Sequence, residues 1–443
     1  MGIQTITKQG YLSELVQQVQ QVPMVKSELK ELRDRASIIL EELALPTKRD
    51  EEWQFTDLAD LYAIKFTSPP PQTELDSGAI EHLILPEAKD SHLVFINGFY
   101  ASKLSSSAAL PAGIFIGNLS QLPDAYPIQD YLGKQQGSTE IFTAINTTGI
   151  SDVAVVWASK DVVVETPIHL LFITTTGDTP TVTQPRILVV LETGAKLTLV
   201  EQYVATGDSC SETIVSQPYF TNGVMEIFVQ ENAVLDHSRI QRETSAAFHI
   251  ARSAISQAKY SQYHCHTISL GAKISRHNLD IFQTGEGTET TLNGLTMIKG
   301  NQVADKHSNI CLNYPNGVTR QVHKTIVDDQ ASVVFNGRVF VGKKAQQTNA
   351  GQISRNLVLS PKARVNTKPQ LEIIADNVKC SHGATVSQLE GDEIFYLQSR
   401  GLDQSTATSL LVEAFALDIV NKLPVASMRQ ILAKCMACKT MVV

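Results

Sequence analysis

From about residue 151 to 395 the chain is a succession of short runs rich in Val, Ile, Thr and Leu, each closed by turn residues. Ile187–Leu191, Leu197–Val200, Val224–Val229, Ile274–Phe282 and Val333–Val341 are examples. Runs of this length and composition form strands, and little between them carries a helical period. A weak internal repeat narrows the choice of all-β folds. A polar residue or Gly followed by Ala recurs at Ala195, Ala233, Ala258, Ala272, Ala331 and Ala363, while Ala345 shares only the turn-like start. Neighbouring separations fall at roughly 14, 18, 25 and 38 residues, whereas propeller blades repeat at about 40–45. Rungs of variable length with a small residue at each tight corner suit a β-solenoid. A sandwich or barrel is the alternative that the pattern leaves open.

The flanks read differently. Residues 1–65 are helical, split by Pro23. Ser27 is placed to cap a helix whose apolar stripe is Leu29, Leu32, Ala36, Ile39 and Leu43. Asp50-Glu51-Glu52-Trp53 has the acidic start of a further helical turn. Thr67-Ser68-Pro69-Pro70-Pro71 is a linker, and His92–Ile96 a strand closed by Asn97-Gly98. Toward the C-terminus, Asp392 is expected to cap Glu393–Arg400, with Gly401 as the stop. Ser405 starts a helix bearing Leu410, Leu411, Ala414, Leu417 and Val420, and Pro424 opens another through Met428, Ile431 and Leu432. The division is a helical and mixed region at 1–150, a β core at 151–396 and a helical region at 397–443. Helices at both ends are expected to cover the open ends of the solenoid or to dock partners.

Composition sets the class. In 443 residues, 37 Lys+Arg against 45 Asp+Glu give a net charge of −8, which disfavours a nucleic-acid surface. Charged residues are 19%, below the roughly 25% of typical soluble domains. Six cysteines, at 210, 265, 311, 380, 435 and 438, are too few for a disulfide scaffold. The start Met-Gly-Ile-Gln-Thr-Ile is no signal peptide, Ile6 breaks the myristoylation pattern, and no run spans a bilayer. A cytoplasmic protein is expected.

Four motifs bear on chemistry. Gly337-Arg338-Val339-Phe340-Val341-Gly342-Lys343-Lys344 nearly spells a phosphate loop. Lys344 stands where the Mg²⁺-binding hydroxyl belongs, and Val-Phe-Val favours a strand. In His264-Cys265-His266 a strand puts the imidazoles on one face and the thiol on the other, so the three cannot converge. Cys435-Met436-Ala437-Cys438 is half a zinc site. Cys380-Ser381-His382 differs: at i, i+2 on a strand near the last rung, thiol and imidazole share a face, and both suit iron–sulfur or zinc chemistry. Two ligands complete nothing, so a second chain would have to supply the rest.

The stretches Thr367–Ile373, Asp376–Val386 with its Cys380-Ser381-His382-Gly383, and Phe395–Gly401, together with Leu45–Trp53, resemble the SufB/SufD family of the Suf iron–sulfur cluster assembly system. The Cys-Ser-His-Gly motif matches its SufD branch. The resemblance implies a right-handed parallel β-helix core flanked by helical regions. It also implies a non-catalytic scaffold in complex with SufB and the ATPase SufC, or a homodimer when isolated. ATP hydrolysis would belong to SufC, docked on the C-terminal helices, for which Phe395, Tyr396, Leu411 and Phe415 are candidates. A transient nascent iron–sulfur cluster would form at the interface with SufB, where His382 is the candidate ligand and Cys380 its neighbour; nothing carries over to Cys435 or Cys438. The other readings are a β-solenoid acting on polysaccharides and a purely structural assembly protein.

Overall fold

The computed structural model describes residues 8–70, 75–108, 110–175, 177–206 and 217–440. Cys210, Ile6 and the third linker proline, Pro71, lie outside the described residues. The chain winds into a parallel β-solenoid of about eight turns. Successive strands alternate between two sheets. The first ends in Lys196–Ala205, Val234–Gln241, Gln262–Ser269, Glu289–Ile298, Val318–Val327, Asn349–Val358 and Lys379–Ser387. The second ends in Tyr219–Val229, Ala247–Gln257, Ile274–Gln283, Val303–Leu312, Ser332–Val341 and Arg364–Ile373. Both sheets begin before the repeat becomes legible, with His92–Ile96 in the first and Ile114–Asn118 in the second. The stretch that nearly spells a phosphate loop belongs, through Val341, to the strand Ser332–Val341, as its β-branched residues require.

The register explains why the repeat is faint. Cys265 lies on Leu292 and Leu292 on Gln321, turns of 27 and 29 residues. Register steps as different as 26 residues, Phe248 to Ile274, and 38, Leu199 to His237, blur any fixed period. The constant element is one corner, where Gly194, Asn232, Tyr260, Gly287, Asn316 and Gln347 all take a left-handed backbone. Each donates its N–H to the carbonyl of the next turn, as Asn232 does to Lys259 at 3.0 Å and Gln347 to Asn377 at 2.7 Å. The following residue is small and buried: Ala195, Ala233, Ser261, Thr288, Gly317 and Thr348. Ala331 and Ala363 enter the opposite corner instead, and Ala272 is itself left-handed. Two corners with different spacing thus merge into one irregular Ala pattern.

Between the sheets, Ile227, Ile255, Ile281, Ile310 and Val339 stack in register, each at most 1% exposed. Each such side chain stabilises the fold by about 1.5–3 kcal/mol relative to exposure. Helices Lys8–Gln20, Leu29–Glu42 and Ile141–Thr148 gather at the outer face of the second sheet, where Phe142 meets Phe220. Helices Gln404–Val420 and Ala426–Thr440 lie along the outer face of the first, packing Val412, Ala416, Ile419, Met428 and Leu432 on Ile240, Ile268, Leu295 and Ile326.

Several local expectations are corrected. Ser27 does not cap: its hydroxyl bonds the Glu28 carboxylate, and the helix begins at Leu29. Asp392 lies inside Gly391–Gln398 rather than before it, and the next helix starts at Gln404, one residue before Ser405, capped by Asp403, which accepts from Thr406 N. That helix buries Ala407, Val412, Ala416, Ile419 and Val420, leaving Leu410 46% exposed. It is apolar nearly all round, so its period does not choose a face. Most consequentially, the C-terminal helices lie along the side of the solenoid and not across its end. The strands of the last rung stay largely exposed.

Candidate functional site

The last rung carries the predicted pair. Lys379–Ser387 ends the first sheet, registered on Asn349–Val358 so that Cys380 lies on Ala350 and His382 on Gln352. Ala350 and Gln352 are buried between the sheets, at 2% and 1% exposure. Cys380 packs on the same core and is half-buried. Burial pushes its thiol up, opposed by a backbone hydrogen bond from Ala350. His382, two residues on, shares that inward face but is exposed, because nothing stacks beyond it. No three of the described His, Cys, Asp or Glu residues cluster as a metal site, so the two donors stand as an incomplete ligand set.

Deeper inside runs a polar array that motif reading missed. Cys265 points inward, away from His264 and His266, as alternation requires. Its thiol lies 3.8 Å from Nδ1 of His237, and His237 Nε2 lies 3.1 Å from Glu201 Oε2. Tyr203 donates to Glu201 at 2.5 Å, and Arg239 flanks the carboxylate. Burial alone would lower His237, but Cys265 and Glu201 outweigh it and push it up to about 9. Burial also opposes a Cys265 thiolate, yet the His237 hydrogen bond and charge bring that thiol below its ordinary value. Burial brings Lys306 down to about 7, while the nearby Cys265 charge resists. His323, buried and stacked on Phe335 at 4.7 Å, falls to about 3 through desolvation. His237 and Cys265 are 28 residues apart and lie in register one turn from each other, while Glu201 lies on Arg239 in the turn before. That spacing is the signal that could have found them.

The remaining candidates lie outside the solenoid. Phe395 and Tyr396 are 71% and 57% exposed on Gly391–Gln398. Leu411 and Phe415 are half-buried, with Lys324 Nζ 4.2 Å above the Phe415 ring. Cys435 is buried, 3.3 Å from Arg242 Nη1, while Cys438 is exposed.

A family model of the SUF system FeS cluster assembly SufBD core domain matches residues 172–415, and one of the SufBD N-terminal region matches 7–170. The chain belongs to the SufBD family. It is 49% identical over 410 residues to an iron–sulfur cluster assembly SufBD family protein of Synechocystis, covering 92% of this chain and 90% of that one. It is 37% identical to chloroplastic protein ABCI7 of Arabidopsis thaliana over 89% and 83% of the two chains. It is 31% identical to the iron–sulfur cluster assembly protein SufD of Escherichia coli over 87% of each. This SufBD protein is therefore a component of iron–sulfur cluster assembly. Among its described residues no helix is long and apolar enough to cross a membrane.

Proposed function

We propose that the chain is the SufD-type scaffold subunit of a complex with SufB and SufC. Its final rung contributes His382, with Cys380 beside it, to a site where a nascent cluster is assembled as cargo. The supporting observation is the incomplete ligand set. His382 and Cys380 share the inward face of a terminal strand with one unpaired edge, and among the described residues no third donor joins them. Two donors at a sheet end are useful when another chain's sheet end meets them. The exposed strands Arg364–Ile373 and Lys379–Ser387 offer that chain unpaired backbone. A neutral imidazole binds Fe(II) without losing a proton. It also holds iron less tightly than another thiolate would, which suits a cluster that must be handed on.

ATP hydrolysis belongs, in this reading, to SufC, docked at the exposed Phe395 and Tyr396. His382→Ala in the complex co-expressed anaerobically with SufB and SufC is expected to cut iron and sulfide at least about ten-fold, since loss of even an outer-shell partner costs a metal site that much. The three subunits should still co-purify. Unchanged iron and sulfide would overturn the assignment. Phe395→Asp should release SufC while SufB stays bound.

A further inference from the structure

Inside the last three rungs the polar side chains form a ladder with one open end. Gln321 Nε2 donates to Ser308 Oγ at 2.7 Å, and Gln352 Nε2 donates to Gln321 Oε1 at 2.8 Å. Gln321 thus spends its N–H across the core on the facing sheet and gives its oxygen to the rung after, where Gln352 spends its N–H. Gln352 is 1% exposed, yet its Oε1 has no hydrogen-bond partner among the described residues. An unmet buried acceptor is destabilising, because it has given up its hydrogen bonds to water. The residue registered on Gln352 in the next rung is His382, on the same inward face and one strand spacing, about 4.8 Å, away. The Gln352 amide is itself held in place. It occupies the space beside Gly337, where an added Cβ would come within 2.0 Å of Nε2.

We infer that Gln352 is the positioning residue of His382: the exposed imidazole makes no hydrogen bond to Gln352 Oε1 in this structure, and a turn of its side chain brings one ring N–H onto that acceptor, continuing the ladder. This fixes a single tautomer and turns the lone pair of the other nitrogen toward the open end. Metal-binding histidines need such a partner on the second nitrogen, and its loss typically costs 10–100-fold in affinity. The inference rests on the reading of His382 as a metal donor, and it adds what makes that donor ready before any metal arrives. Neither Ser381, on the opposite face, nor the half-buried Cys380 supplies an oxygen there.

The test reads the ring directly. Full-length, metal-free protein labelled with ¹⁵N-histidine is examined by long-range ¹H–¹⁵N correlation at pH 8, with His382 assigned by its loss in His382→Gln. The expected result is one tautomer for His382 in the wild type, retained in Gln352→Glu, which keeps an acceptor oxygen, and replaced by a mixture in Gln352→Leu. In the complex with SufB and SufC, Gln352→Leu should lower retained iron about ten-fold and Gln352→Glu should restore it. A mixture of tautomers in the wild type overturns the inference, as does a Gln352→Leu spectrum equal to wild type; an iron content equal to wild type overturns it where His382→Ala lowers loading. Should Gln352→Leu fail to fold, the wild-type and Gln352→Glu spectra decide alone. Because the tautomer is read without iron, the hydrogen bond can stand if His382→Ala leaves cluster loading unchanged. Conversely, it can fail while His382 remains the donor.

Discussion

Glu201 is a carboxylate 1% exposed in the middle of a β-solenoid, and it survives there because four groups answer it. His237 and Tyr203 bond its oxygens, Arg239 flanks it, and the Cys265 thiol completes the charge balance through His237. Removing the charge on one side leaves the other buried and unanswered, which typically costs about 3–5 kcal/mol. Glu201→Gln is therefore expected to lower the urea unfolding free energy by roughly 3 kcal/mol at pH 7, and a loss below 1 kcal/mol would count against the charged description. Gly294 makes a steric counterpart. An added Cβ would come within 2.1 Å of Nδ1 of the buried His323, so Gly294→Ala should cost about 1–3 kcal/mol by overpacking. At this scale the sequence was legible where chemistry is local. That Cys380 and His382, two apart, share a face of one strand could be read directly; His237 and Cys265, 28 apart, became neighbours only once the turn length was known.

The short turn Glu51–Trp53 shows how one element is fastened to another. Trp53 lies under the Arg276 guanidinium, 3.9 Å from ring centroid to carbon. Arg276 also donates to the Glu52 carbonyl and pairs with Asp305 at 2.6 Å. His307 bridges Glu52 and Asp305 at 2.9 Å to each, Thr56 bonds Asp305, and Lys368 reaches Glu51 at 2.8 Å. Burial would lower His307, but the Asp305 charge and the two carboxylate contacts raise it above its ordinary 6.5. A group raised on folding contributes fully below its unfolded value and loses that contribution as pH rises through the folded one. Glu52, bonded by His307, and Asp305, whose burial is outweighed by Arg276 and His307, are both depressed below 4.5 and 3.8. Their part is complete above pH 4.5 and lost as pH falls through the depressed values. Amides of residues 50–56 should then be best protected near pH 5–6 and open progressively as pH rises through the elevated His307 value. Hydrogen exchange corrected for intrinsic rate measures this, and His307→Gln should flatten the dependence. A wild-type profile flat from pH 6 to 9 would refute it. The acidic turn itself was legible, but its receptor was not, since Arg276, Asp305 and His307 lie far along the chain and no local pattern ties them to it. The face of Gln404–Val420 was misread for the opposite reason: too many positions were apolar to select one.

For the whole molecule, the solenoid makes stability a matter of position along an axis. Every interior strand has a hydrogen-bonded neighbour on each side, while Arg364–Ile373 and Lys379–Ser387 each lack one. In a nearest-neighbour array, terminal units open with less free energy than internal ones, because only one interface must be broken. The helical flanks do not remove this asymmetry, since Gln404–Val420 braces Glu289–Ile298 and Val318–Val327 from the side and leaves the end free. Low overall charge fits the same geometry, as stacked Val, Ile and Thr rungs leave few faces to decorate. The strand-rich texture made the fold class legible, but the uncovered end was not, because periodicity says which residues face a core and nothing of where a helix stops along an axis. Hydrogen exchange of the isolated chain should therefore be graded, slowest across Ala247–Leu312 and fastest at Lys379–Ser387. In the proposed complex with SufB, protection should rise mainly at Arg364–Ile373 and Lys379–Ser387, the two strands with an unpaired edge. Uniform protection in the isolated chain would mean that the last rung already pairs with a second copy, which a concentration series separates by restoring the gradient on dilution. If the gradient is present but SufB leaves the last rung unprotected, the proposed interface lies elsewhere and His382 loses its role as a shared ligand.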